Sequence, residues 1–269
     1  MPVQARHQPR GFVLVMAPLI ALAWAALWLW AQSPYGRYLD HGSWTEVGFA
    51  ASICGALPAG EVLLPGLLYV GGWVLMTAAM MLPTTMPLLE IVARIGATRP
   101  DGRLLLGLVI AGYLGVWSLF GLAAHLADLG VHALVPRSPW LTFNGWAIGA
   151  GILALAGLFQ FSNLKRRCLD ACRTPMSFVV WHWRGRDQRR QALLLGAHHG
   201  LYCVGCCWAL MLLMFVVGTG SVGWMLALGA VMAAEKNFPW GRRLSAPLGI
   251  GLLAWSAWIV LAETGMRFV

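Results

Sequence analysis

Charge is scarce in this chain. Asp, Glu, Lys and Arg make up 11% of its 269 residues, where soluble domains carry roughly a quarter. With 59% hydrophobic residues and a mean hydropathy of +0.70, that deficit excludes an ordinary soluble domain. It points to an all-α, polytopic membrane helix bundle. Acidic side chains are the fewest, 10 against 19 basic ones. The resulting net charge of +9 has a direct source in basic cytoplasmic loops, so no nucleic-acid partner is expected. Phosphate-binding and dinucleotide-binding glycine loops are absent, as are zinc-finger spacings and serine-nucleophile signatures. No internal repeat of roughly 20–50 residues occurs. The six cysteines cluster in and beside apolar segments, unlike the scaffold of a short secreted domain.

What the chain has instead is long charge-free runs: Gly11–Gly36, Val62–Leu89, Leu104–Ala127, Ser138–Leu164, Gln191–Ala234 and Leu244–Ala262. A membrane helix needs about 20 apolar residues. The fifth run is twice that length, and Gly218-Thr219-Gly220 divides it. Seven transmembrane helices follow, at about 11–32, 64–88, 104–126, 141–163, 192–217, 221–238 and 244–262. They form one integral membrane domain covering residues 1–269. Residues 33–63 make an external segment, in which Val47–Gly60 is too short to span and is read as interfacial or re-entrant. Residues 164–190 make a basic loop. With the N-terminus in the cytoplasm, sixteen of the nineteen basic residues fall on the inner side, as the positive-inside rule requires. The C-terminus is then periplasmic and the localisation a bacterial inner membrane. Gly145-x-x-x-Gly149 and Gly196-x-x-x-Gly200 allow close helix approach. Eight tryptophans near the expected span ends, Trp24 and Trp240 among them, suit an aromatic belt.

The stretch "LYCVGCCWALM", residues 201–211, puts three thiols into an expected mid-membrane position. On a helix His199, Cys203, Cys207 and Met211 form one ladder at four-residue spacing, and Cys206 lies one turn from Cys203. Imidazole, thiol and thioether thus share a face. A second sulfur patch holds Met76, Met80 and Met81, ahead of Pro83 and Pro87, which loosen the helix. Its expected depth overlaps the inner half of the 192–217 helix, so the two patches could meet, with Met80 or Met76 as the donor from the second helix. A third patch, "LKRRCLDACRTP", spaces Cys168 and Cys172 one turn apart among arginines. It suits either an ion route on the cytoplasmic side or a basic helix on anionic lipid. Glu235 ends the sixth expected helix beside Lys236. It either pairs with that neighbour or serves as a hard ligand or proton acceptor.

Thiolate, thioether and imidazole together select Cu(I), with zinc second. Calcium and magnesium require oxygen ligands, which this region lacks.

The motifs resemble a bacterial family of unknown function, described as predicted metal-binding integral membrane proteins. The resemblance rests on Met76-x-x-x-Met80-Met81-x-Pro83 and on Leu164-Lys165-x-x-Cys168-x-x-x-Cys172-Arg173-x-Pro175. It continues through Gly200-x-x-Cys203-x-Gly205-Cys206-Cys207-Trp208-x-Leu210-Met211 to Glu235-Lys236, covering roughly residues 70–240. The family's Tyr-Gln-x-Thr-Pro lead-in to the Leu-Lys motif is here Phe159-Gln160-Phe161-Ser162-Asn163. The resemblance implies metal binding in a membrane and supplies no reaction.

Four functions fit these residues. The first is copper handling, meaning delivery, storage or assembly of a partner's copper centre, with Cys203, Cys206 and Cys207 as core ligands. The others are a copper-dependent membrane oxidase or oxygenase subunit, a thiol–disulfide oxidoreductase, and an accessory subunit whose thiols only pack. Expected partners are membrane lipids and another membrane or periplasmic protein. Near-absence of intramembrane charge argues against active pumping.

Overall fold

The computed structural model describes residues 10–32, 63–183, 187–217 and 221–265. Among them the chain is helical, with no strand. Apolar runs this long leave backbone polar groups only the helix as an internal solution. Helix α1 spans Arg10–Ala31 and α2 Leu63–Met81. A 3-10 turn at Pro83–Thr85 leads into α3, Met86–Gly96. The longest helix, α4, runs Gly102–Leu134. A short α5, Pro139–Phe143, precedes α6, Trp146–Phe159, then α7, Asn163–Arg173, and α8, Pro175–His182. Helix α9 covers Gln188–Leu212, α10 Met214–Val217 and α11 Val222–Asn237. A 3-10 turn at Gly241–Leu244 enters α12, Ser245–Gly265.

All seven expected ranges contain helix. Among the described residues three stretches are by themselves long and apolar enough to cross a membrane: Gly102–Arg137, Gln188–Leu212 and Gly241–Gly265. Two bent pairs raise the number to five if each is one span. These are Val70–Met81 with Pro83–Gly96, bent by 45°, and Trp146–Phe159 with Asn163–Arg173, bent by 64°. The first bend has a covalent cause. Pro83 and Pro87 remove backbone donors, and their rings do not tolerate a continuous ladder. The second begins where Ser162 caps α7, its Oγ accepting from the Lys165 amide at 3.0 Å. Residues 164–190, read as a loop, hold the rest of α7 and the whole of α8. The divider Gly218-Thr219-Gly220 and the external stretch up to residue 62 lie outside the described residues.

Helix α9 is the centre of the packing. It lies against α4 with backbones in near contact. A Cβ added to Gly196 would overlap the Val109 carbonyl, and one added to Gly112 would overlap the Leu193 carbonyl. Gly200 meets Tyr113 and Val116 in the same way. Gly196-x-x-x-Gly200 is therefore a true close-approach motif. Gly149 of the other small-residue pair makes only ordinary contact with Val216. Helix α7 folds back beside α9 and α11. Arg173 donates to the Glu235 and Pro239 carbonyls, and Asp170 pairs with Arg242. This clamp brings the third sulfur patch to the other two.

Candidate metal centre

The thiols of α9 are buried where α2, α4, α7 and α11 meet it. Cys203, Cys206 and Cys207 are each 0–1% exposed, and Met76, Met80, Met81 and Met211 are buried in the same core. The helix itself turns two thiols toward one carbonyl. Cys206 Sγ donates to the Cys203 oxygen at 3.1 Å and Cys207 Sγ donates to the same oxygen at 2.9 Å. Both thiols are thus tied to the backbone of the first.

Three other helices complete the cluster. From the end of α2, Met81 Sδ stands 4.0 Å from Cys207 Sγ. From α4, the Tyr113 hydroxyl lies 3.0 Å from Cys203 Sγ. From α11, Lys236 Nζ donates to Cys203 Sγ at 2.9 Å and to Thr84 Oγ1 at 3.2 Å, and it lies 3.9 Å from Met81 Sδ. The thioether that reaches the thiols is thus Met81. Of the two expected donors, Met80 packs its chain against Gly229 of α11 and Met76 is buried in the core. The reason is rotational: adjacent helix positions differ by about 100°, so α2 aims only one of the two sulfurs at α9.

Helix α7 adds two cysteines. Cys168 Sγ sits over the backbone of Gly205, where a side chain would collide with it, and Cys172 is half-buried against the same core. The fold packs this third sulfur patch against the core that holds the buried thiols. The five described cysteines are all free. Among the described residues, no three His, Cys, Asp or Glu side chains converge as ligands of one ion. The metal-ligating potential here is a mixed thiol–thioether set.

A family model for PpoB2, described as a copper chaperone, matches residues 70–259. The chain belongs to this copper chaperone family. No curated protein and no solved structure matches it. The matched span contains every sulfur, imidazole and carboxylate side chain that the sequence singled out, and the family's description names the metal that ligand softness selects.

Two candidate residues stand apart from the sulfur cluster. His199 is buried with Nδ1 unpartnered. Its ring lies 5.9 Å from Tyr113 and 5.4 Å from Phe178, and it borders a cavity of about 10 Å³, the size of one water. Glu235 has both carboxylate oxygens engaged, Oε2 by Lys165 Nζ at 2.8 Å and Oε1 by Ser245 at 2.6 Å. That ion pair is 0% and 2% exposed. A buried charge pair satisfied by further hydrogen bonds is a structural clasp, here joining α7, α11 and α12. Sequence reasoning missed Tyr113, Thr84 and the contact of Lys236. The lysine carried the best signal, since a cation in an apolar helix is costly enough to mark a site.

Proposed function

We propose that this chain is a polytopic inner-membrane protein that carries Cu(I) as cargo on Cys203, Cys207 and Met81, for delivery to or assembly of a partner's copper centre. One observation carries the reading: Met81 Sδ and Cys207 Sγ stand 4.0 Å apart. A metal–thiolate bond of about 2.3 Å, the zinc value, separates two sulfurs of a three-coordinate ion by about 4 Å. Cys203 and Cys207 lie one turn apart on α9, and rotation about χ1 releases the Cys207 thiol from the backbone carbonyl it now bonds.

Charge supports the same reading. Two thiolates and one Cu(I) leave a net charge of −1, which would be costly to bury alone. The ammonium of Lys236, in contact with Cys203 and close to Met81, offsets it. Cys206, bonded to the Cys203 carbonyl, and Cys168, over Gly205, offer further sulfur positions for stepwise ligand exchange. Membrane insertion is supported by the outer surface. Leu119, Leu126, Trp258 and Leu261 are exposed on the helices long enough to span, a face suited to lipid. Setting aside Lys165 and Lys236, which are buried and paired, the remaining basic residues still favour a cytoplasmic N-terminus and an inner location for residues 164–190.

Purified protein in detergent should hold copper in preference to zinc, with sulfur as the dominant neighbour at the copper X-ray absorption edge. Cys203→Ser and Cys207→Ser should each abolish the sulfur-bound copper. Folded protein with intact thiols and no affinity for Cu(I) would overturn the reading. Reporter fusions within residues 184–190 should report the cytoplasm; a periplasmic signal would end the seven-span topology.

A further inference from the structure

The imidazole pair formed by His182 of α8 and His198 of α9 is not part of the sulfur cluster. Their ring centroids are 4.9 Å apart at an interplanar angle of 49°. His182 is half-buried and His198 is exposed. The Phe178 ring stacks on His182 at 4.3 Å and fixes its plane. The His182 Nδ1 lies 2.8 Å from the Phe178 carbonyl oxygen. A carbonyl can only accept, so Nδ1 carries the proton and Nε2 is left with a free lone pair. A backbone carbonyl holding one ring nitrogen is the arrangement that orients metal-ligating histidines.

The pair also stands at one end of a line of contacts that leads inward. Phe178 touches His182 and His199. His199 lies against Tyr113, and Tyr113 reaches Cys203 Sγ. His198 of the pair and His199 of the line are consecutive on α9, and His199 is one turn from Cys203.

We propose that His182 and His198 form a second copper site, a docking point at the outer end of this line. There Cu(I) is received from, or released to, a partner before or after it occupies the thiols. The proposal rests on the reading of Cys203 and Cys207 as the holding site. Two imidazole nitrogens bound at about 2.0–2.1 Å, the zinc value, lie at most about 4 Å apart, a separation that rotation of the exposed His198 ring reaches. Two protein ligands leave the ion open to an incoming donor, as exchange requires. The step is ligand substitution alone: each nitrogen–copper bond that breaks is replaced by a sulfur–copper bond. Copper stays Cu(I), and the protons leave the incoming thiols for solvent.

The test uses the full chain in detergent with Cu(I) alone as probe. In the Cys203→Ser/Cys207→Ser background, copper should remain bound with nitrogen neighbours at the absorption edge, and His182→Gln/His198→Ala should remove it. With the thiols intact, His198→Ala should slow loading of the thiols several-fold and remove the nitrogen-bound copper, while the sulfur-bound copper reached at equilibrium is the same. His198 is exposed, so its truncation spares the fold. Unchanged loading, together with no nitrogen-bound copper in the serine background, would overturn the proposal. Nitrogen-bound copper in a chain whose thiols never load would uphold the docking site and remove the chaperone reading.

Discussion

Lys236 Nζ lies 2.9 Å from Cys203 Sγ. A lysine from α11 thus touches the first thiol of α9, inside a core whose other groups here are sulfur, hydrocarbon and the hydroxyls of Tyr113 and Thr84. Such a cation is costly to bury without a partner. Its other partners, Thr84 and Met81, carry no negative charge, so the sulfur centre is the counterpart that the ammonium can complement.

Lys236→Met should therefore weaken Cu(I) retention while the protein still folds. A hydrogen bond to a charged group contributes roughly 1.5–3 kcal/mol, which corresponds to about ten- to a hundredfold in affinity. Competition against a chelator of known strength measures this directly. Wild-type affinity in the variant would show that the lysine does not offset the charge of the loaded site.

The two methionines of α2 should behave differently. Met81→Leu keeps volume and removes the sulfur that stands 4.0 Å from Cys207. It should lower copper affinity at a stability cost below about 1.5 kcal/mol. Met80→Leu makes the same chemical change next to Gly229 and should leave copper affinity as it was. Equal losses in both would mean that the thioether contact is not what matters.

Glu235→Gln strands the buried ammonium of Lys165, whose partner oxygen is 2.8 Å away. Breaking one side of a buried pair costs about 3–5 kcal/mol, read as a lower melting temperature in detergent. Lys165→Met added to Glu235→Gln should recover most of the loss. If the single change leaves stability intact and instead removes bound copper, the carboxylate is a ligand and not a clasp.

Gly196→Ala places a methyl group on the Val109 carbonyl, so α4 and α9 must separate. Overpacking of this kind costs about 1–3 kcal/mol. Because Tyr113 rides on α4, copper loading should fall with stability. Gly107→Ala, on the same helix with nothing within 4 Å, should be neutral in both measurements.

Much of this was legible from the chain alone. Apolar runs bounded by charge gave helices at all seven expected ranges, and the Pro83/Pro87 pair marked a bend. The His199–Cys203–Cys207–Met211 ladder is a property of one helix, so its shared face followed from the 3.6-residue turn. The same arithmetic could not separate Met80 from Met81, because it gives the angle of a side chain about its own axis and says nothing of what stands opposite.

The sequence by itself therefore determined the helical class, the apolar character and the concentration of soft ligands on one helix face. These depend on the order of residues along the chain and on local backbone geometry. Tertiary structure alone decided that Met81, Tyr113 and Lys236 meet Cys203 and Cys207, that Cys168 sits over Gly205, and that Glu235 is consumed by Lys165 and Ser245. Those pairings are set by how α2, α4, α7 and α11 rotate and slide against α9. That packing depends on glycine contacts such as Gly196 against Val109 and on the clamp from Arg173 to the Glu235 carbonyl, which bring together residues far apart in the chain.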